Sequence, residues 1–302
     1  MLSTRDIHIP SLAILLSTVI WGTWWIPLRQ LDQLAGGTVW LVAAGIWVPA
    51  LLFLPKFIAT GGRILRRNRA TLYCAIFFGL TTTLYAEGAL RGNVARVILL
   101  FYLTTVWSTL LARAMLNEPV TPARLVSIAL GLTGMWIVLG GDNSGFIPMP
   151  NSVAEWMGLT AGLCWALAMV YARKIGQIPV TEMAFPIFTC FALSMMLVTL
   201  IPGGRSWDLS IDATATAAIV WVLLIGLLWH IPAIVLTLFG ANDVEPGRIS
   251  ILLMMEVVIG VGSATLFANE VFGIRELLGS VFILSASVAE FAPALLRRPH
   301  TP

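Results

Sequence analysis

Apolar residues run along this chain in long continuous stretches separated by short polar segments. Ten stretches reach about 20 residues, the length that a helix needs to cross a bilayer. They comprise residues 11–28, 38–58, 71–90, 94–115, 122–140, 153–173, 181–201, 213–239, 246–268 and 273–296, here called spans one to ten. Strands of a membrane barrel would instead alternate apolar and polar positions in segments of about ten residues. The pattern therefore predicts an all-α integral membrane protein with ten transmembrane helices.

Composition excludes a soluble fold. Of 302 residues, 58% are hydrophobic and only 11% are charged, against about 25% charged in soluble domains. The polar segments between the spans are too short to form an extramembrane domain. We therefore expect residues 1–302 to form a single membrane domain.

Basic residues predict the orientation of the chain. Ten spans place both termini on one side, and the segments on that side hold 13 of the 18 Lys and Arg residues. Basic residues concentrate in cytoplasmic loops, so we expect cytoplasmic N and C termini in a bacterial inner membrane. The most basic loop, residues 59–70, is short and adjoins the membrane, which favours contact with anionic lipids and not with nucleic acid.

The chain contains an internal duplication. Ala95-Arg96 and Asn117-Glu118 flank span four, and Gly247-Arg248 and Asn269-Glu270 flank span nine, with an offset of 152 residues at both ends. Two repeats follow, at 11–140 and 153–296, each with five spans. Because five is odd, the second repeat enters the membrane from the opposite face. Inverted repeats are typical of secondary transporters, whose substrate site lies near the midplane between the repeats.

Several short motifs occur in the order found in one known family. They are Trp21-Gly22, the segment 110–118, the run 162–167, and Met255-Glu256-Val257 followed by Asn269-Glu270. With these motifs the chain resembles the ten-helix, EamA-like branch of the drug/metabolite transporter superfamily. Phe101-Tyr102-Leu103 and the segment 138–143 are further similar to YddG-type aromatic amino acid exporters. The family often has Glu-Pro where this chain has Glu256-Val257.

The resemblance implies a transporter of small metabolites that has two EamA repeats, no prosthetic group and no enzymatic activity. It does not fix the substrate, the direction of transport or the energy source.

Glu256 is the most informative single residue. It lies eight residues after Arg248, about 12 Å along a helix, and therefore inside the hydrocarbon core. A charge there costs about 2.5 to 3.5 kcal/mol, and such residues commonly line a transport pathway. A protonated glutamic acid that only packs against a neighbouring helix is the other interpretation.

His230 is the second titratable candidate inside a span, and it too has a packing interpretation. Pro232, two residues later, supplies no N–H for the carbonyl of Leu228, so we expect the helix to bend there. Glu87 lies four residues before Arg91, a spacing that favours an ion pair near the membrane surface.

Aromatic side chains and two methionines complete the predicted site. Stacking and desolvation by aromatic walls would hold an aromatic or aliphatic side chain, and deformable methionines suit a site for several shapes. The predicted substrate-binding residues are Trp21, Tyr85, Tyr102, Trp107, Trp165, His230, Met254 and Glu256. Each aromatic residue has packing or lipid contact as its alternative.

The predicted function is export of aromatic and other neutral amino acids by alternating access. The spans have no central Lys or Arg, which disfavours polyanionic substrates. A broad exporter of drugs or metabolites is the alternative within this class. An intramembrane lipid-modifying enzyme is the alternative from another class, although the chain has neither H-E-x-x-H nor G-x-S-x-G. We expect a monomer or a weak homodimer in contact with membrane lipids.

Overall fold

The computed structural model describes residues 4–35, 38–139, 149–177, 179–200, 215–243, 252–253, 255–268 and 272–296. Regular structure in these ranges is helical. The helices are α1 (Thr4–Thr23), α2 (Trp25–Ala35), α3 (Val39–Ala59), α4 (Arg63–Arg67), α5 (Arg69–Arg91), α6 (Val94–Phe101), α7 (Thr104–Leu116), α8 (Pro122–Leu139), α9 (Val153–Ile175), α10 (Val180–Leu197), α11 (Ala215–Leu224), α12 (Ile231–Asp243), α13 (Met255–Phe267) and α14 (Ile274–Leu296). The predicted all-α class is confirmed.

Within the described ranges, six helical segments are long and apolar enough to cross a membrane. They are Ile9–Leu34, Val39–Ala59, Val94–Leu116, Val153–Ile175, Val180–Leu197 and Thr216–Gly240. Pro122–Val138 and Met255–Phe267 are shorter apolar helices. The helices of spans three and ten, α5 and α14, have 23 residues each but include charged residues. Helical residues thus occur in all ten predicted spans, while the count of ten membrane crossings stays a prediction.

Span one is broken at Trp24, between α1 and α2. Pro27 has no backbone N–H, and its ring crowds the carbonyl of Thr23, four residues earlier. The last helical turn before the break is narrower than an α-helical turn: the Trp24 N–H donates to the carbonyl of Trp21, three residues back, at 3.2 Å.

Span four is broken at Tyr102 and Leu103, between α6 and α7. The Leu103 N–H donates to the carbonyl of Leu100 at 3.2 Å, and the Val106 N–H donates to the carbonyl of Leu103 at 2.9 Å. The Thr105 hydroxyl also donates to the carbonyl of Tyr102, at 3.2 Å. Threonine hydroxyls compete in this way with the helical hydrogen-bond ladder.

Span eight contains a wide turn between α11 and α12. Residues Ile225–His230 are π-helical, and the Ile231 N–H donates to the carbonyl of Gly226, five residues back. The wide turn lies directly before Pro232, where the sequence predicts a bend. Such turns are rare and are frequent at functional sites.

Helix packing is reciprocal between the two halves of the chain. Spans three and four pack on span six, and correspondingly spans eight and nine pack on span one. Span seven packs on span three, as span two packs on span eight, and spans two and seven, four and nine, and five and ten contact each other. This pattern is the one that a twofold relation between the two halves of the chain would produce.

Glycines allow the closest of these helix contacts. A Cβ at Gly79 of α5 would lie 2.6 Å from the backbone nitrogen of Phe191 on α10, and one at Gly158 of α9 would lie 2.8 Å from the carbonyl oxygen of Val97 on α6. Small residues at such crossings let membrane helices approach backbone to backbone.

We expect Gly79→Ala to lower the thermal stability of the purified protein. The added methyl meets backbone of α10, which cannot turn away as a side chain can, so a loss of about 1 to 3 kcal/mol is expected. Gly262→Ala on α13 is the matched control, since a Cβ there meets nothing within 4 Å and alanine favours the helix by up to about 1 kcal/mol. Equal melting temperatures for the two variants would contradict the close contact at Gly79.

Candidate functional site

The carboxylate of Glu256 lies between two tyrosine hydroxyls. Glu256 occupies the first turn of α13 and is 7% exposed. The Tyr102 hydroxyl lies 3.1 Å from Oε2 and the Tyr85 hydroxyl 3.4 Å from Oε1. The Tyr102 hydroxyl also lies 2.7 Å from the carbonyl oxygen of Leu253. The Tyr102 hydroxyl has one hydrogen, which the Leu253 carbonyl and Glu256 Oε2 share, whereas the Tyr85 hydroxyl has Oε1 as its acceptor.

These contacts join the two halves of the chain. Tyr85 lies on α5 and Tyr102 follows α6, both in the first half, whereas Glu256 lies in the second half. The span-four break places Tyr102 at this point, where its hydroxyl reaches span nine.

Aromatic rings surround the carboxylate. Tyr85 stacks on Trp24, with centroids 6.1 Å apart and an interplanar angle of 10°. Phe101 stands edge-to-face against both Tyr85 and Tyr102, at 5.2 and 5.4 Å. Trp165 continues this wall, with its ring 6.1 Å from Phe101. The result is a carboxylate among flat apolar surfaces, an arrangement suited to a small amphipathic molecule.

His230 is held by bonds to both ring nitrogens. The Trp24 Nε1–H group, which can only donate, lies 3.1 Å from Nε2 of His230, so Nε2 must be the accepting nitrogen. Nδ1 therefore carries the proton and donates to the carbonyl oxygen of Gly45 at 3.1 Å. A second proton on His230 would occupy Nε2 and break the bond to Trp24. The geometry therefore fits a neutral imidazole that links α3, at Gly45, to span one, at Trp24.

Trp21 is buried beside this group. Its Nε1–H donates to the Thr237 hydroxyl at 3.1 Å, and its ring stands edge-to-face to Trp24 at 5.4 Å. Trp25 likewise donates to the Ser263 hydroxyl, at 3.0 Å. All three span-one tryptophans thus bond to side chains of the second half.

The remaining predicted residues lie elsewhere or are not described. Trp107 is half-buried on α7, and its buried Nε1 atom has no hydrogen-bond partner among the described residues. Trp165 is half-buried and contacts Phe78 as well as Phe101. Met254 lies outside the described residues. Of the predicted set, Trp21, Tyr85, Tyr102, Trp165, His230 and Glu256 therefore belong to one connected group of side chains.

Sequence reasoning missed Trp24, Phe101 and Phe191 as members of this group. Trp24 contacts Tyr85, His230 and Phe191, the last at 5.9 Å between ring centroids. Its position three residues after Trp21 places both on one helical face, which is a usable signal. No comparable sequence signal marks Phe191, because span seven is apolar on every side.

Ion pairs connect both ends of span four to neighbouring spans. At one end Arg96 contacts Glu155 of span six and Glu276 of span ten, at 3.3 and 3.4 Å. At the other end Glu118 contacts Arg124 of span five and Arg173 of span six, each at 2.7 Å. Partial burial raises the pKa of Glu118, but hydrogen bonds and charges from Arg124 and Arg173 lower it further, and the net pKa lies below its usual value.

The predicted pair of Glu87 and Arg91 is present. The Arg91 Nη2 atom lies 2.8 Å from Glu87 Oε2, and the glutamate side chain is almost fully buried. Because its charge is balanced within its own helix, Glu87 is separate from the central group.

Comparison with known proteins identifies the class. Two copies of one family model, described as the EamA-like transporter family, match residues 8–140 and 152–289. The chain is therefore a multi-pass membrane transporter. It belongs to the EamA-like transporter family of the drug/metabolite transporter superfamily.

Solved structures support the fold. One crystal structure, described only as "Crystal structure of protein", is 17% identical, covers 99% of this chain and 100% of its own, and has a TM-score of 0.58. At this identity the likeness concerns the fold alone. No curated protein matches the chain.

The Trp24–His230 bond predicts a measurable coupling. We expect Trp24→Phe and His230→Leu each to lower the melting temperature, because each removes a buried hydrogen bond at a cost of about 1 to 3 kcal/mol. The double variant should lose less than the sum, by about 1 kcal/mol, since the two residues share one bond. Strictly additive losses in the double-mutant cycle would contradict the assigned bond.

Proposed function

We propose that this transporter exports neutral amino acids, aromatic ones among them, from the bacterial cytoplasm by alternating access. The observation that carries the proposal is the Glu256 carboxylate, bonded by tyrosines of the other half and enclosed by aromatic rings. The same proposal places both termini in the cytoplasm and the protein in the inner membrane.

A zwitterion matches the chemistry of this group. Its ammonium would replace the tyrosine hydroxyls as the donor to Glu256, forming a charge-assisted and therefore stronger bond. Its side chain would pack against Tyr85, Phe101 and Trp165.

Exchange of partners at Glu256 would connect binding to movement. Tyr85 and Tyr102 link the first half to Glu256 of the second half, so a ligand that takes over Glu256 removes bonds between the halves. The helices could then rearrange and expose the ligand on the other side. A proton on Glu256 would act at the same point, because a neutral acid holds an ammonium less strongly. Coupled and uncoupled export both remain compatible with this geometry.

The proposal is tested with purified protein in liposomes preloaded with labelled Phe, Met, Lys or a drug-like cation. Saturable release of Phe and Met, without comparable release of Lys, is the expected result. Preferential release of the cation would instead support a broad exporter. Turnover of the liposome lipids without movement of any solute would support an enzyme and overturn the proposal.

We expect Glu256→Gln to reduce amino acid efflux by about tenfold or more, because a charge-assisted bond to the ammonium becomes a neutral one. If efflux by the wild type varies with pH, the variant should lose that variation. Glu182→Gln, the same exchange in the first turn of α10, is the control and should retain efflux. A Glu256→Gln variant with wild-type efflux and pH response would remove this carboxylate from the mechanism.

We expect Trp165→Ala to raise the KM for Phe by about tenfold, since it removes one face of the aromatic wall. Trp136→Ala on α8 is the matched control, because Trp136 is 57% exposed on the outer surface. Membrane insertion of both variants is checked by their yield in the membrane fraction. An unchanged KM for Trp165→Ala would remove Trp165 from the binding site.

A further inference from the structure

A small cavity lies between α7, α8 and α9, apart from the central aromatic group. Its volume is about 40 Å³, and its polar lining consists of Ser108, Arg124 and Arg173. The rest of the lining is apolar and comes from α7 and α9. At about 10 to 15 Å³ for each water position, the space holds about three waters. This suits a compact polar group and is too small for a whole amino acid.

The cavity is rich in positive charge. Glu118 is the carboxylate that bonds both guanidinium groups, through Nη1 of Arg173 and Nη2 of Arg124. The remaining N–H groups of Arg173 have no partner among the described residues, and its side chain is 49% exposed. Arg173 can therefore bond an incoming anion without first releasing Glu118.

The surface next to the cavity is apolar. Leu110, Leu125 and Val126 lie on the same helices, and their exposed fractions are 48%, 59% and 51%. Acyl chains would cover such side chains, and a headgroup at the cavity would sit above them. The distribution of basic residues assigns this end of the bundle to the cytoplasmic leaflet.

The ion-pair cluster at the opposite end of span four has the reverse ratio of acidic to basic residues. There one arginine, Arg96, contacts two carboxylates, those of Glu155 and Glu276. Glu276 follows Arg124 by 152 residues, the offset of the duplication. The equivalent position at the other membrane surface therefore carries an acid, which disfavours a phosphate there.

We propose that the cavity binds the phosphate of an anionic phospholipid from the cytoplasmic leaflet. Arg173 bonds the phosphate oxygens, the positive charge of Arg124 lies beside them although its Nη groups already bond Pro119 and Glu118, Ser108 donates its hydroxyl, and the acyl chains lie along α7 and α8. Guanidinium groups match phosphate geometry closely, and basic pockets between membrane helices on the cytoplasmic side bind anionic headgroups. This site does not depend on the transported substrate.

The test measures binding of phosphatidylglycerol to delipidated protein in detergent, by the rise in melting temperature during titration. Phosphatidylcholine and inorganic phosphate are titrated in parallel. We expect phosphatidylglycerol to stabilise the wild type, and we expect Arg173→Gln to weaken its apparent affinity by about tenfold, the loss of one charge-assisted bond. Arg275→Gln is the control, because Arg275 is exposed and lies beside Glu276, at the opposite end of the bundle from the cavity.

Glu118→Gln separates lipid binding from a purely structural ion pair. It breaks the contacts of Glu118 with both arginines but leaves the arginines in place, so lipid affinity should be kept or increased. If Arg173→Gln does not fold, Met169→Trp, which fills the cavity from α9, should weaken binding instead. Equal weakening by Arg173→Gln and Glu118→Gln, equal weakening by Arg275→Gln, or equal stabilisation by inorganic phosphate would each overturn the proposal.

Discussion

Polar groups inside a bilayer have no water to bond, so each must find its partner within the protein. In this protein that constraint is met at the centre by bonds between the two halves of the chain. Three indole N–H groups of span one donate to Thr237, His230 and Ser263. Two phenols of spans three and four bond Glu256 in the same direction, from first half to second. The halves are therefore held together by directional bonds as well as by apolar packing.

These bonds differ in how easily a ligand can replace them. The tryptophan bonds join neutral groups, and each indole has only one hydrogen to donate. The carboxylate of Glu256 accepts from two phenols at 3.1 and 3.4 Å, long distances for bonds to an ionised oxygen. An ammonium or a proton competes well there and poorly at the tryptophans. In the proposed mechanism, Glu256 is thus the point at which a solute alters contacts between the halves, while span one keeps its attachment to spans eight and nine.

How far the sequence predicts this arrangement depends on the kind of signal. Continuous apolar stretches and the repeated offset of 152 predict the helical bundle and its duplication, because both are properties of the chain alone. Glu256 is predictable because a carboxylate is rare in a span. Trp24 is only partly predictable: its spacing from Trp21 places both on one helical face, but one sequence does not show whether that face of span one is turned inward. Pro27 and Pro232 mark two helix interruptions, whereas the third, at Tyr102, depends on threonine side-chain bonds that have no comparable signature.

The inverted duplication that the sequence predicts would also constrain the distribution of charge. An inverted copy of a five-span unit would place equivalent positions on opposite membrane surfaces, whereas basic residues are favoured on one surface. Some equivalent positions have diverged in charge, as Arg124 and Glu276 have, while others, such as Arg96 and Arg248, have not. The diverged pair still forms ion pairs to span four, Arg124 through Glu118 and Glu276 through Arg96. Glu118 and Arg96 lie at the two ends of span four itself, so Arg124 and Glu276 each meet a partner of opposite charge there, and ion pairs hold span four at both ends.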